Sequence, residues 1–142
     1  MKNSNSNLFS FPLTTIVICA MLFSAVSSCS KTDANANAQF LGTYNGTRTI
    51  SGTAAADTLI VTAGSNSTSI VITDKAPNST GVNATVNSNT ITIPNQAINI
   101  NGAAGTISGS GGLGGSSLAL TYTEVVTATS TALTGTFNGT KQ

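Results

Sequence analysis

Apolar positions along the chain fall into two regimes. From Leu8 to Val26 they form one nearly unbroken stretch, densest at Ile16-Val17-Ile18-Cys19-Ala20-Met21-Leu22-Phe23. From Phe40 onward they come in short β-branched runs separated by Gly, Asn and Ser clusters, and no window after the first stretch sustains a 3.6-residue period. Runs of this kind predict strands near 40–50, 58–63, 68–73, 81–86, 90–93, 97–101, 105–108, 118–127 and 132–140. Turn signals lie between them at Gly64-Ser65-Asn66-Ser67, Ala76-Pro77-Asn78 and Asn87-Ser88-Asn89. Pro94 has no N–H to give a ladder and is expected to end its strand. Gly109 to Gly115 is so rich in glycine that it reads as a hairpin loop. The expected fold is all-β: an antiparallel meander of about eight strands, closed into a small barrel or stacked as a sandwich.

Alternation selects the candidate core: Leu59, Val61, Ile70, Ile72, Val82, Val86, Ile91, Ile93, Ile98, Ile100, Ile107, Leu118, Leu120 and Tyr122, with Phe40 and Phe137. Short aliphatic side chains of this kind can fill the interior of a narrow eight-stranded barrel, and an open ligand cup is the alternative. One echo bears on topology. Gly42-Thr43-Tyr44-Asn45-Gly46-Thr47 returns as Gly135-Thr136-Phe137-Asn138-Gly139-Thr140. It links the first strand to the last, and glycines flanking an aromatic on one face suit strands that meet where a barrel closes.

The first apolar stretch follows Lys2 and ends at Val26-Ser27-Ser28-Cys29. Ser10, Pro12, Thr14 and Thr15 interrupt it and no basic stop-transfer cluster follows, which speaks against a retained membrane helix. A basic start, an apolar middle and small residues at the end are the marks of an export leader. The last four residues resemble the lipobox of bacterial lipoproteins, with Val26, Ser27 and Ser28 read by the signal peptidase and Cys29 as the first mature residue. The resemblance implies a signal-peptide helix over 1–28, a lipid anchor on Cys29, a membrane as partner and an envelope location. Ser30 rather than Asp after the cysteine resembles cargo sent on to the outer membrane. Residues 29–39 are expected to be a flexible tether and 40–142 the β-domain.

Composition then narrows the chemistry. Charged residues are 6% of the chain, hydrophobic residues 39%, and the net charge is +1. Without Lys2 the mature part has four basic and four acidic side chains, so no basic face invites nucleic acid. Hydrophobicity at this level separates the chain from disordered sequences. There is no histidine, and of two cysteines one lies within the leader. A mature-domain disulfide, a Cys/His metal site and a His-based triad are therefore not expected, nor is any cofactor. Asp57, Asp74 and Glu124 are isolated in sequence and are not expected to form a catalytic pair, so no catalytic residue is assigned. Glu124 continues the parity of Leu118, Leu120 and Tyr122 and is expected to point inward, with Arg48 as its candidate partner for a structural pair or a ligand contact. Asp57-Thr58-Leu59 resembles the acceptor of some bacterial O-glycosylation systems, which makes Thr58 a candidate modification site.

Gly42-Thr43-Tyr44 opening a meander of about eight strands resembles the lipocalin-like domains of small bacterial lipoproteins. Tyr44 stands where lipocalins typically carry Trp, and Lys141 is the candidate for the basic residue that packs on that ring. Two readings follow. The first is a non-enzymatic accessory or structural β-domain on a lipid anchor. The second is a lipocalin-like module binding a small apolar ligand or a glycan. A cavity on the barrel axis favours the second reading, and a filled interior the first.

Overall fold

The computed structural model describes residues 35–75 and 80–142. The leader, Val26, Ser27, Ser28 and Cys29, the first part of the expected tether and the whole of the expected Ala76-Pro77-Asn78 turn lie outside them.

Eight antiparallel strands close into a barrel in simple sequence order. They are β1 (Gly42–Ile50), β2 (Thr53–Ala63), β3 (Ser69–Asp74), β4 (Val82–Asn87), β5 (Thr90–Ile100), β6 (Ala103–Gly114), β7 (Ser117–Val126) and β8 (Thr131–Lys141). The choice between barrel and sandwich thus falls to the barrel. It closes between β1 and β8, where Gly46 sits opposite Gly139 and Arg48 opposite Phe137. The echoed segments do meet at this seam. A Cβ on Gly46 would lie 2.1 Å from the Asn138 carbonyl oxygen and 2.4 Å from Gly139 Cα, so only glycine lets these backbones approach so closely.

Several expectations change. The runs at 90–93 and 97–101 are one strand, because the register shifts between Ile93 and Gln96 and Pro94 falls within that irregularity, where no ladder N–H is required of it. On the other side of β5, where its ladder with β4 ends at Thr85 and Thr92, the Gln96 side chain reaches across to Asn83. Its Oε1 accepts from Asn83 N at 3.0 Å, and its Nε2 donates to the Asn83 carbonyl at 2.6 Å. The glycine-rich segment is strand up to Gly114, not a hairpin loop. Gly109 pairs with Tyr122 and Gly111 with Leu120, and a Cβ on either would come within 3 Å of those partners. Glycine there clears space for large inward side chains on β7. Finally, Phe40 belongs to a 3-10 turn (Ala38–Phe40) before β1, not to a strand, and β2 begins at Thr53, five residues before the expected start.

That 3-10 turn plugs one end of the barrel. Phe40 and Tyr44 are fully buried, and the Tyr44 hydroxyl donates to the Phe40 carbonyl at 2.8 Å. Asn37, expected within the tether, is buried, and its Nδ2 donates to the carbonyls of Asn66 and Ser69. The Lys141 side chain crosses Gly42 and donates to the Gln39 carbonyl at 3.1 Å. Val61, Ile70, Ala84, Val86, Ile91, Leu113 and Leu118 fill the interior above the plug. Outward positions read differently. Asn83, Thr85, Thr92, Thr121 and Asn138 are exposed, so these outward strand positions are polar and uncharged.

Candidate functional site

The interior is not filled throughout. Toward the end opposite the plug, where the β1–β2 and β5–β6 turns lie, a cavity of about 720 Å³ remains. Those turns are Ser51-Gly52 and Asn101-Gly102, both with positive φ at each residue, the geometry of tight two-residue hairpins. Three of the expected core residues, Val82, Ile98 and Ile100, are not fully buried because they face this space. Leu59, Ile72, Ile93, Ile107, Leu120 and Phe137 complete its apolar wall. Of the two alternatives left by the sequence, a filled interior and an open cup, the cavity answers to the second. The aliphatic side chains on β2 to β7 are too short to meet across the axis once glycines occupy inward places on β6 and β8.

Polar groups gather at the mouth. Arg48, Asp57, Asp74, Tyr122 and Glu124 all line the cavity. Each occupies the inward parity of its strand: Arg48 follows Tyr44 on β1, Asp57 precedes Leu59 on β2, Asp74 follows Ile72 on β3, and Glu124 follows Tyr122 on β7. The inward reading of Glu124 holds, while its pairing differs. Arg48 Nε lies 3.3 Å from Asp57 Oδ2, and its Nη1 lies 2.9 Å from Asp74 Oδ2. Asp57 sits diagonally from Arg48 on the adjacent strand, since Gly46 is its register partner, and this proximity gives it the guanidinium in place of Glu124.

The electrostatics follow from burial. Removal from water raises the Asp57 carboxyl above its ordinary range, and repulsion from Asp74 adds to this, while Arg48 pulls the other way. Asp57 Oδ1 accepts from Thr58 N at 2.8 Å, but its buried Oδ2 accepts no hydrogen bond despite facing the guanidinium. When Asp57 takes up a proton, Asp74 is placed to receive the resulting hydrogen bond. Burial likewise raises Glu124, opposed by Arg48. Tyr122 is pushed up to about 12 by burial, with Arg48 again opposing, so its hydroxyl stays protonated at neutral pH. Burial alone would lower Arg48, but the surrounding acids outweigh it and raise the guanidinium further. One cation among three carboxylates leaves two formal negative charges in excess.

Among the described residues no three metal-ligating side chains converge on a site for a metal ion. Thr58 is half-buried on β2, and its hydroxyl donates to Asn45 Oδ1 at 2.9 Å across the β1–β2 pair. Sequence reading missed Asp57 and Asp74 as members of the site. Their inward parity was visible, but only the register brings them to Arg48.

No family model matches the chain, and no curated protein matches it. Among solved structures, it is similar to the crystal structure of a “putative outer membrane protein” from Bacteroides fragilis, with a TM-score of 0.51 and 19% identity. The match covers 76% of this chain and 53% of that one, so the chain spans about half the length of its structural neighbour. At this identity the likeness is one of fold.

Proposed function

We propose that the chain is a lipid-anchored binding protein of the bacterial cell envelope, whose barrel holds a small, mainly apolar molecule and does not transform it. The cavity carries this reading. Its volume of about 720 Å³ lies within the few hundred to a thousand Å³ of small-molecule sites, and its wall is largely aliphatic with a few polar groups at one end. Of the two readings open from sequence, binding module and structural domain, the void favours the first. Lys141, the basic residue that the lipocalin-like resemblance points to, lies across Gly42 and opposite Tyr44 in the β1–β8 ladder, which is in keeping with this reading.

Cys29 and the residues before it support the anchor, as does the polar outer face of the strands. A lipid-facing barrel would present an apolar band outward; this one presents Thr and Asn and suits water beside a membrane. An outer-membrane location is in keeping with both the Ser30 after Cys29 and the description of the structural neighbour.

The test is titration of residues 30–142 with the neutral apolar fluorophore N-phenyl-1-naphthylamine. Saturable fluorescence enhancement is expected from the wild type, and its loss from Ile98→Trp or Val82→Phe variants that keep the wild-type circular dichroism. No enhancement, or enhancement indifferent to both substitutions, returns the domain to the structural reading.

A further inference from the structure

The barrel places its charges where they are hardest to keep. All three carboxylates among the described residues, Asp57, Asp74 and Glu124, line the cavity, and none is spent on the outer surface, where solvation would cost nothing. Asp57 has a side chain only 10% exposed and an Oδ2 with no hydrogen-bond donor. Arg48 is already engaged by two of the acids through two of its nitrogens and cannot neutralise all three. Asp57 Oδ2 thus lacks a donor and the cluster lacks positive charge, and a molecule from outside the chain can supply both.

We infer that the cavity accepts an amphiphile with a positively charged organic head, seated among Asp57, Asp74 and Glu124, with its apolar body lying along Ile98 and Leu120. This rests on the ligand-binding reading above and names the ligand class. A metal ion fits poorly, because the acids do not converge to coordinate one. A carboxylate or sulfate head would meet two excess negative charges and a guanidinium whose Nε and Nη1 are taken. An alkylammonium matches a ring of separated carboxylates, donates or presents positive charge to Asp57, and carries the hydrocarbon the wall asks for. Burial raises Asp57 and Glu124, a cost to their charged forms that a cationic head beside them would offset.

Three probes with one tail separate the alternatives: decyltrimethylammonium, 1-decanol and decanoate, each below its micellar concentration, displacing N-phenyl-1-naphthylamine at about pH 7.5. The ammonium is expected to displace at a concentration at least tenfold below the alcohol, with decanoate weakest. In an Asp57→Asn/Glu124→Gln variant the ratio of ammonium to alcohol affinity should fall toward one. A second measurement needs no variant. The ionisable groups facing the cavity are Arg48, Asp57, Asp74, Tyr122 and Glu124, and of these Asp57 and Glu124, both raised by burial, take up protons as pH falls from about 7.5 toward 4. The wild-type ratio should therefore shrink across that interval. If decanol binds and the ammonium binds no better, or decanoate binds best, the head-group inference is overturned while the cavity reading stands. If neither the fluorophore nor any decyl probe binds, both fail.

Discussion

Arg48 is the counter-ion on which the empty cavity depends. With it removed, Asp57 and Asp74 lose their counter-ion in a site where their side chains are 10% and 16% exposed. Breaking a buried pair costs about 3–5 kcal/mol, and because Arg48 is itself 35% exposed the cost here falls at or below the bottom of that range. Arg48→Met is expected to lose about 2–3 kcal/mol of stability at neutral pH in chemical denaturation, and to recover part of it in acid as Asp57, raised by burial, takes up a proton. Equal stability of variant and wild type at pH 7 would remove the ion pairs from the account. The wild type has a pH signature of its own. The folded-state values of Asp57 and Glu124 lie above their ordinary ones, chiefly through burial. A raised carboxyl contributes stability that is fully present below its unfolded value and is lost as pH rises through the folded one. The ligand-free domain should therefore melt at a higher temperature just above the ordinary carboxylate range, near pH 4–5, than at pH 7. Asp57→Asn/Glu124→Gln should flatten that slope, and a wild-type melting temperature that falls on acidification over this window would contradict the assignment.

At the scale of strands, glycine does two different jobs. At Gly46 a Cβ would strike backbone of β8, which cannot yield without opening the barrel seam. At Gly135 the obstacle is the Tyr122 ring, 2.3 Å away at Cε2, and that ring has the cavity to turn into. Gly135→Ala should therefore cost about 1–3 kcal/mol, the ordinary range for overpacking, and Gly46→Ala more than that. Urea denaturation of the two variants side by side checks the order, and a Gly46→Ala domain as stable as wild type would exclude the close seam. The same distinction explains what sequence could show. The echo of 42–47 in 135–140 was legible because it repeats on both partners of the closing pair, and Glu124 was legible because Leu118, Leu120 and Tyr122 set its parity. The length of β6 was not. Glycines read as a loop until Tyr122 and Leu120 are known to stand opposite them. Continuity of β5 through Pro94 was equally hidden, since it depends on Gln96 bridging to Asn83 from another strand. The grouping of Asp57 and Asp74 around Arg48 required a register that parity alone does not supply.

For the molecule as a whole, the barrel has a closed end and an open one. Phe40, Tyr44 and Lys141 seal the first, and the acids and Arg48 ring the second. The anchor proposed at Cys29 precedes the plug in sequence. Radiolabelled palmitate is expected to enter the wild-type protein in bacteria and not a Cys29→Ala variant; label in both, or in neither, would sink the lipoprotein reading. The claim on which function turns is that the interior holds a molecule, and isoleucine methyl groups report on it position by position. Ile50, Ile72, Ile93, Ile98, Ile100 and Ile107 line the cavity, whereas Ile70 and Ile91 lie in the packed part of the core and Ile60 is at an outward position of β2. In methyl-resolved NMR of isoleucine-labelled protein titrated with 1-decanol, saturable shifts are predicted for the first six and little change for Ile60, Ile70 and Ile91. Shifts absent from the six, or shared equally by Ile60, would contradict a ligand-holding barrel.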